Sequence, residues 1–471
     1  MATGYVEGAG GWDRAIPDTA PQPSASAPGK VQADPSRISE MLRALGEIGA
    51  DPAGGVSRLA FTAAEREAHA LVRAWLQEMG LSVRQDPAGN MVAERPGTLA
   101  SAPAIGVGSH LDSVPHGGRF DGAAGVVGAV ELVRLLSESG AQMQHPVRIV
   151  AFAAEEGARF GEPSIGSKAV VGLLEGRDLH RIQDPDGVTL AAAMTSVGVD
   201  PTKVLSAKWD PHDWAAFLEL HVEQGRVLEA EGRQIGLVDV VSGSTRLRAV
   251  LRGRASHSGG TPMTMRSDAL SATAEVILAT EALAKDPRHR GTRATVGRLE
   301  VYPNSITTIP GSVMFTVDIR DVDSDRQRQT AAEIVRRARQ ICERRGIRLE
   351  VEVMTDTSPA VLPMWLREIT SASCRHLGVG PRAVNSGAGH DAQIVNRLVP
   401  AAMILVPSKD GLSHVPEEWS SASDIAKGVE VLYRSVLRLD GFLAELQGLG
   451  SSQAPGAGPQ RASSADPSPS Q

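Results

Sequence analysis

Four short apolar runs in this chain each end in a polar motif, and that repeated ending constrains the fold more than any other feature. AIGVGSH runs into LDSVPHGGRFDG, and PVRIVAFAAEEG ends in paired glutamates. FLELHVEQG and AAMILVPSKDGLSH each lead to a histidine. Short apolar runs bounded by turn residues read as buried strands. An open α/β sheet presents its chemistry at the carboxyl ends of such strands, so residues far apart in sequence can meet in one crevice. Helical patterns lie between the runs. TAAEREAHALVRAWLQEMG carries a capping box in Thr62 and Glu65 and a stop at Gly80, and GAAGVVGAVELVRLLSESG has small residues that permit close packing.

The rhythm changes over residues 242–353. TRLRAVLRGRA reads as a strand, SDALSATAEVILATEALAK as a helix, and ATVGRLEVYP and SVMFTVDIRD as strands. DRQRQTAAEIVRRARQICERRG is a second helix and IRLEVEVM a last strand. That β-α-β-β-α-β order is ferredoxin-like. The fold class is therefore α/β: an open mixed-sheet catalytic domain over residues 35–241 and 354–448, with an inserted ferredoxin-like unit at 242–353. A four-stranded sheet left partly uncovered is a dimerisation surface in this reading. The Gly, Pro, Ala and Ser-rich ends, 1–34 and 449–471, read as flexible tails.

Composition excludes some classes of function. A net charge of −7, with no Lys/Arg-rich run, offers no field for nucleic acid. No apolar run is long enough to span a bilayer, and the first 34 residues hold no apolar signal core. Cys342 and Cys374 lie in no metal-type spacing and read as free thiols in a reducing compartment. The expectation is a cytoplasmic protein. Aromatic residues make up only 3%, so aliphatic side chains must fill its cores.

The polar endings contain His110, Asp121, Glu156, His221 and His414, an N/O donor set suited to zinc, manganese, cobalt or nickel. Singly, each has a bland reading: a loop histidine, or for Asp121 a turn or helix-capping residue. Together they read as ligands. One carboxylate, here Asp121, can bridge two cations about 3.5–4 Å apart through its two oxygens. Alternation along an extended segment puts Asp112 on the side of His110, where a carboxylate can accept the imidazole N–H and fix its tautomer. Glu155 and Glu156 are adjacent at a strand end, so their side chains diverge and Glu155 is left free as a base. Two divalent cations carry +4 against −2 from Asp121 and Glu156, which favours an anionic substrate. The expected chemistry is metal-assisted hydrolysis of an amide-like C–N bond.

Gln224 can both donate and accept, as an amide or ureide requires, or it can serve an ordinary loop. Glu417, in the rigid Val-Pro-Glu-Glu loop after His414, is a candidate partner for that histidine. His257, in GRASHSGGTPMTMRSDAL, and Arg320, at the end of VDIRD, form a second polar cluster. Surface roles remain open for both.

In GSHLDSVPHGGRFDG, EEGARFG with IGSKA, HVEQG, HSGGTPMTMRSDAL, SGAGHDA and SKDGLSHVPEE, taken in order over roughly residues 35–445, the chain resembles the hydantoinase/carbamoylase branch of dinuclear metal-dependent amidohydrolases. The resemblance implies a catalytic domain of the zinc-exopeptidase type and a homodimer. It also implies two divalent ions, one held by His110, Asp121 and His221 and the other by Asp121, Glu156 and His414. Glu155 would be general base and Asp112 an orienting residue. His257 would stabilise the oxyanion, from the partner subunit, and Arg320 would clamp a substrate carboxylate, with Gln224, Gly387 and His390 lining the pocket. Domain closure would bring His257 and Arg320 over the metals. The implied activity is N-carbamoyl-L-amino-acid hydrolysis, with allantoate or another ureide as the alternative. One departure stands out. The family commonly carries Asn before its V/I-P-G element, where this chain reads NSITTIPG; Thr307 is the counterpart, with Asn304 able to substitute if the loop is rearranged.

Overall fold

The computed structural model describes residues 31–99 and 101–451. The catalytic sheet is built from β1 (Ser82–Gln85), β2 (Met91–Arg95), β3 (Ala104–His110), β4 (Val147–Phe152), β5 (Trp214–Val222) and β6 (Gly236–Val241). The smaller unit follows with β7 (Gly243–Arg252), β8 (Ser256–His257), β9 (Arg293–Tyr302), β10 (Thr308–Ile309), β11 (Ser312–Asp321) and β12 (Arg348–Thr357). The chain then returns to the first sheet with β13 (Ala360–Val361), β14 (Arg382–Ser386) and β15 (Ala401–Val406).

The large sheet is mixed, in the order β1-β2-β4-β3-β5-β15-β6-β13, with β14 alongside β6. Its central strands β4, β3, β5 and β15 are mutually parallel neighbours. The residues of β3 and β15 are buried throughout, as strands covered on both faces must be. The helix Ala123–Glu138 lies against β3 and β5, and Gly125 and Gly128 leave no room for a Cβ beside Leu220. The small residues of that helix thus set its distance from the sheet.

The smaller sheet runs β12-β7-β11-β9, all antiparallel, the strand order of a ferredoxin-like unit. Burial alternates strictly along β11, and the buried side packs on the helices Ala269–Ala284 and Ser324–Arg344 in a core of its own. The other face carries polar and charged side chains that pair across the strands, Arg246 with Asp318 and Arg248 with Glu352.

Two expectations at the chain ends need correction. Residues 31–34 are not tail: Ala33 is buried, and Asp34 caps the helix Pro35–Glu47 by accepting the Ser36 N–H. At the other end the helix Ala422–Ser451 runs past the point where the second tail was expected to begin. The remainder of both tails lies outside the described residues. Composition hid these segments because a capping Asp and one buried Ala barely alter a Gly/Pro/Ser-rich average. Cys342 and Cys374 are both buried free thiols. Among the described residues no helix is long and apolar enough to cross a membrane.

The helix Pro35–Glu47 is tied to the helix behind the site by one buried carboxylate. Glu131 accepts the Asp34 N–H at 3.0 Å and Arg37 Nε and Nη2 at 3.1 and 2.6 Å. Arg37→Ala strands that carboxylate inside the protein. Because Arg37 is itself 32% exposed, the expected loss is about 2–3 kcal/mol, the low end for a broken buried pair. Denaturant unfolding measures it, and Arg37→Ala combined with Glu131→Leu should recover most of the loss. An unchanged midpoint in the single variant would contradict this account.

Candidate metal centre

Each of the four parallel strands at the middle of the large sheet delivers part of one cluster. His110 is the last residue of β3, His221 is the penultimate residue of β5, Glu155 and Glu156 follow β4, and His414 sits on the loop after β15. Asp121 comes from the loop between β3 and the helix Ala123–Glu138.

The geometry converges on the Asp121 carboxylate. Its Oδ1 lies 3.5 Å from His110 Nε2 and 3.2 Å from His221 Nε2. Its Oδ2 lies 3.3 Å from His414 Nε2, which is 3.2 Å from Glu156 Oε1. One carboxylate thus faces two donor sets, one with each oxygen. Donors at about 2.0–2.1 Å from a tetrahedral cation stand about 3.3–3.4 Å from one another. The observed separations match that spacing, so the residues present fit cations held in both sets.

A third group of donors, Glu219, His221 and His390, also lies close together. Its members are engaged elsewhere. Glu219 accepts Ser109 Oγ at 2.7 Å and the Ala392 N–H at 2.8 Å, His390 Nε2 meets Ser386 Oγ at 2.7 Å, and His221 Nε2 already faces Asp121. This group is the packing behind the site.

Backbone shape brings the donors close. Gly122 has φ +64°, and a Cβ there would stand 2.5 Å from the His110 ring. His414 is itself at φ +61°, in a loop fastened by Glu418. Glu418 Oε1 accepts the Phe120 and Asp121 N–H groups, both at 2.9 Å. Its Oε2 accepts Ser413 Oγ at 2.6 Å, and the same hydroxyl lies 3.0 Å from Asp121 Oδ2. The buried partner in VPEE is therefore Glu418, where sequence reasoning singled out Glu417. Nothing in the motif itself tells which of two adjacent glutamates turns inward. Glu219 also escaped notice, although period-2 alternation puts it on the side of β5 that carries His221.

Asp112 faces His110 as the sequence led us to expect, its Oδ1 3.5 Å from His110 Nδ1, and it does more. His110 Nδ1 meets the Asp112 backbone carbonyl at 3.1 Å, while the Asp112 carboxylate accepts the Glu155 N–H at 2.9 Å and the Glu156 N–H at 3.0 Å. The carbonyl and the carboxylate of Asp112 both face the imidazole Nδ1, and the carboxylate also holds the glutamate pair. From there the two side chains part. Glu155 Oε2 comes within 3.8 Å of His110 and its Oε1 accepts Ser164 Oγ at 3.2 Å, whereas Glu156 points to His414.

Glu155, Glu156, Gln224, Arg320 and His414 line a common cavity of about 90 Å³. Gln224 donates to Asp121 Oδ2, and its own Oε1 is buried without a partner. Arg320 gives Nε to Asp318 at 2.8 Å and Nη1 to the Gly387 carbonyl at 3.0 Å, which leaves three of its five donors for a ligand.

Other residues named from the sequence stand apart from this cavity. His390 is buried edge-on behind the His221 ring, at 4.6 Å between centroids, and Gly387 meets Arg320 through its carbonyl. Neither is part of the lining, which includes their neighbours Ala388 and Gly389. His257 is exposed on β8, paired with Thr308 of β10. Its Nδ1 accepts the Gly259 and Gly260 N–H groups at 3.1 and 3.0 Å, which leaves the ring proton on Nε2 as a donor. Thr307 lies beside it, its carbonyl accepting the Ser258 N–H, and Asn304 is exposed at φ +56° in the same loop.

Electrostatics follow from this crowding. Burial pushes the Glu155 carboxyl up to about 8, with Glu156, Asp112 and Asp121 adding to the effect and His110 opposing it. Burial disfavours charge on His221 and His414, but Asp121 overcomes it. His221 is raised to about 9, and His414, which also faces Glu156, to about 11. Burial works against the charged form of Asp121 as well, and its three histidines hold it well below the ordinary carboxylate range. In the protein alone both histidines hold protons at neutral pH, and a cation must displace them. Between about pH 6 and 8, metal binding should therefore release protons and tighten as pH rises. Calorimetry in two buffers of different ionisation heat measures the release; an affinity independent of pH would contradict this arrangement.

Residues 106–438 match Peptidase family M20/M25/M40. The N-carbamoyl-L-amino acid amidohydrolase of Geobacillus stearothermophilus is 41% identical over 86% of this chain and 98% of its own length. The allantoate amidohydrolase of Bacillus subtilis is 34% identical over 84% of this chain and 95% of its own. A solved hydantoinase/carbamoylase family amidase from Burkholderia vietnamiensis superposes with a TM-score of 0.81 at 33% identity, covering 87% of this chain and 98% of that one. With a donor cluster able to hold metal and relatives matched along nearly their whole lengths, the chain belongs to peptidase family M20/M25/M40, as a hydrolytic enzyme of its hydantoinase/carbamoylase branch.

Proposed function

We propose that this enzyme hydrolyses the carbamoyl C–N bond of N-carbamoyl-L-amino acids, giving the amino acid, ammonia and carbon dioxide. The observation that carries the proposal is the Asp121 carboxylate with a separate donor set at each oxygen and, beside it, a buried Glu155 that belongs to neither set. His110, Asp121 and His221 would hold one divalent ion, and Asp121, Glu156 and His414 a second. Zinc, manganese, cobalt and nickel all suit these donors. Such ions, when bound, polarise a carbonyl and bring the pKa of a water down toward about 7.

The side chains supply the rest. Glu155 takes a proton from the attacking water and returns it to the departing nitrogen. Arg320 binds the substrate carboxylate with the donors left free of Asp318 and Gly387. The unpartnered Gln224 Oε1 accepts a ureido N–H. His257, with its proton on Nε2, donates to the oxyanion once the smaller unit closes over the cleft. That histidine stands exposed on β8, and in this reading a partner subunit of a dimer supplies it. Two buried free thiols suit a cytoplasmic enzyme. Allantoate is the second reading, favoured by the resemblance to the Bacillus subtilis allantoate amidohydrolase.

Release of ammonia from a panel of N-carbamoyl-L-amino acids and allantoate, with Mn²⁺ or Co²⁺ supplied, ranks the two readings; no ammonia from any of them would reject both. Glu155→Gln should keep its metal and lower kcat by about 10²–10⁴-fold, and retained turnover would remove Glu155 from its role. Arg320→Ala should act mainly on binding, raising KM for carboxylate substrates by about tenfold or more.

A further inference from the structure

The capping box at the start of the helix Ala63–Glu78 closes on one side only. Thr62 Oγ1 accepts the Glu65 N–H at 3.4 Å, but the Glu65 carboxylate does not return to Thr62. Its Oε2 accepts the Phe61 N–H, and its Oε1 accepts the Ala154 N–H at 3.2 Å, from a segment 89 positions away. Glu65 is fully buried, with Arg66 Nη2 2.9 Å from one oxygen and His69 Nε2 4.0 Å from the other.

Both residues whose amides Glu65 holds are in the left-handed region, Phe61 at φ +52° and Ala154 at φ +57°. Non-glycine residues avoid that region unless their surroundings enforce it. Ala154 directly precedes Glu155. Around it, four successive amides leave β4 without strand partners. Ala153 donates to Asn90 Oδ1 at 2.9 Å, Ala154 to Glu65, and Glu155 and Glu156 to Asp112. The amide that Glu65 takes belongs to the residue in the disfavoured conformation, at the turn from which the two glutamates part.

We infer that Glu65 is a positioning residue for the reaction: it enforces the left-handed turn at Ala154 and thereby aims Glu155 at the cleft while Glu156 faces His414. The inference rests on the reading of Glu155 as base. A glutamine at position 65 retains one acceptor oxygen and presents an NH₂ in place of the other, so it cannot take both amides.

The test uses full-length, metal-loaded enzyme and N-carbamoyl amino-acid turnover, with metal content by mass spectrometry and thermal unfolding read in parallel. Glu65→Gln should lower kcat by about tenfold or more, the scale of a sub-ångström misplacement, with KM within about twofold and metal content unchanged. Ala154→Gly in that background should restore part of kcat, because glycine adopts this φ without cost. Thr62→Ala removes the other half of the cap and should lower the melting temperature while leaving kcat as in the wild type. Should Glu65→Gln fail to fold, Glu65→Asp keeps the charge but falls short of both amides, and the same selective loss of kcat is expected. Wild-type kcat in a folded Glu65 variant, or an equal loss of kcat in Thr62→Ala, overturns the inference. If Glu155→Gln is itself fully active, the reading of the base fails first; if Glu155→Gln is inactive and Glu65→Gln is not, only the role of Glu65 falls.

Discussion

A single carboxylate, that of Asp121, has to satisfy three imidazoles at once, and the catalytic half of the molecule is arranged around that demand. Its two oxygens face opposite ways, toward His110 and His221 on one side and toward His414 on the other. Carboxylates this deeply buried are costly unless positive charge meets them. Here the histidines meet it as protonated partners, and divalent cations can take the place of those protons. The cluster therefore stores, in its own charge balance, an affinity for cations.

The rigidity of the cluster comes from other buried carboxylates that bind backbone amides. Glu418 takes the amides of Phe120 and Asp121, Asp112 those of Glu155 and Glu156, and Glu219 that of Ala392. Hydrogen bonds from N–H groups to ionised acceptors are stronger than neutral ones. Loops at strand ends lack ladder partners, and these acids replace the ladder. The same device takes the amide of Ala154, which keeps a left-handed conformation at φ +57°.

Much of this was legible in the residues alone, because the buried parallel strands write themselves as unbroken apolar runs with their chemistry at one end. The donors His110, Asp121, Glu156, His221 and His414 could be named from those endings, and the alternation along β11 announced the smaller sheet. What stayed hidden depends on the direction of a side chain within a loop. Adjacent Glu417 and Glu418 look alike in sequence, and only the turn at His414 decides that the second points inward. Asp112 was expected to face His110 with its carboxylate and does so at 3.5 Å; hidden was that the same group also takes two amides at the end of β4 and that its own carbonyl stands nearer the imidazole. His390 sits in a motif beside the cleft, yet its ring turns behind His221 to reach Ser386. Long-range polar competition of this kind has no local signature.

The most direct test of the central claim is anomalous diffraction from crystals grown with Mn²⁺ or Zn²⁺. The account predicts two peaks about 3.5–4 Å apart, one at each oxygen of Asp121, the first against His110 and His221 and the second against Glu156 and His414. A lone peak away from Asp121, or an ion seated among Glu219, His221 and His390, would contradict it.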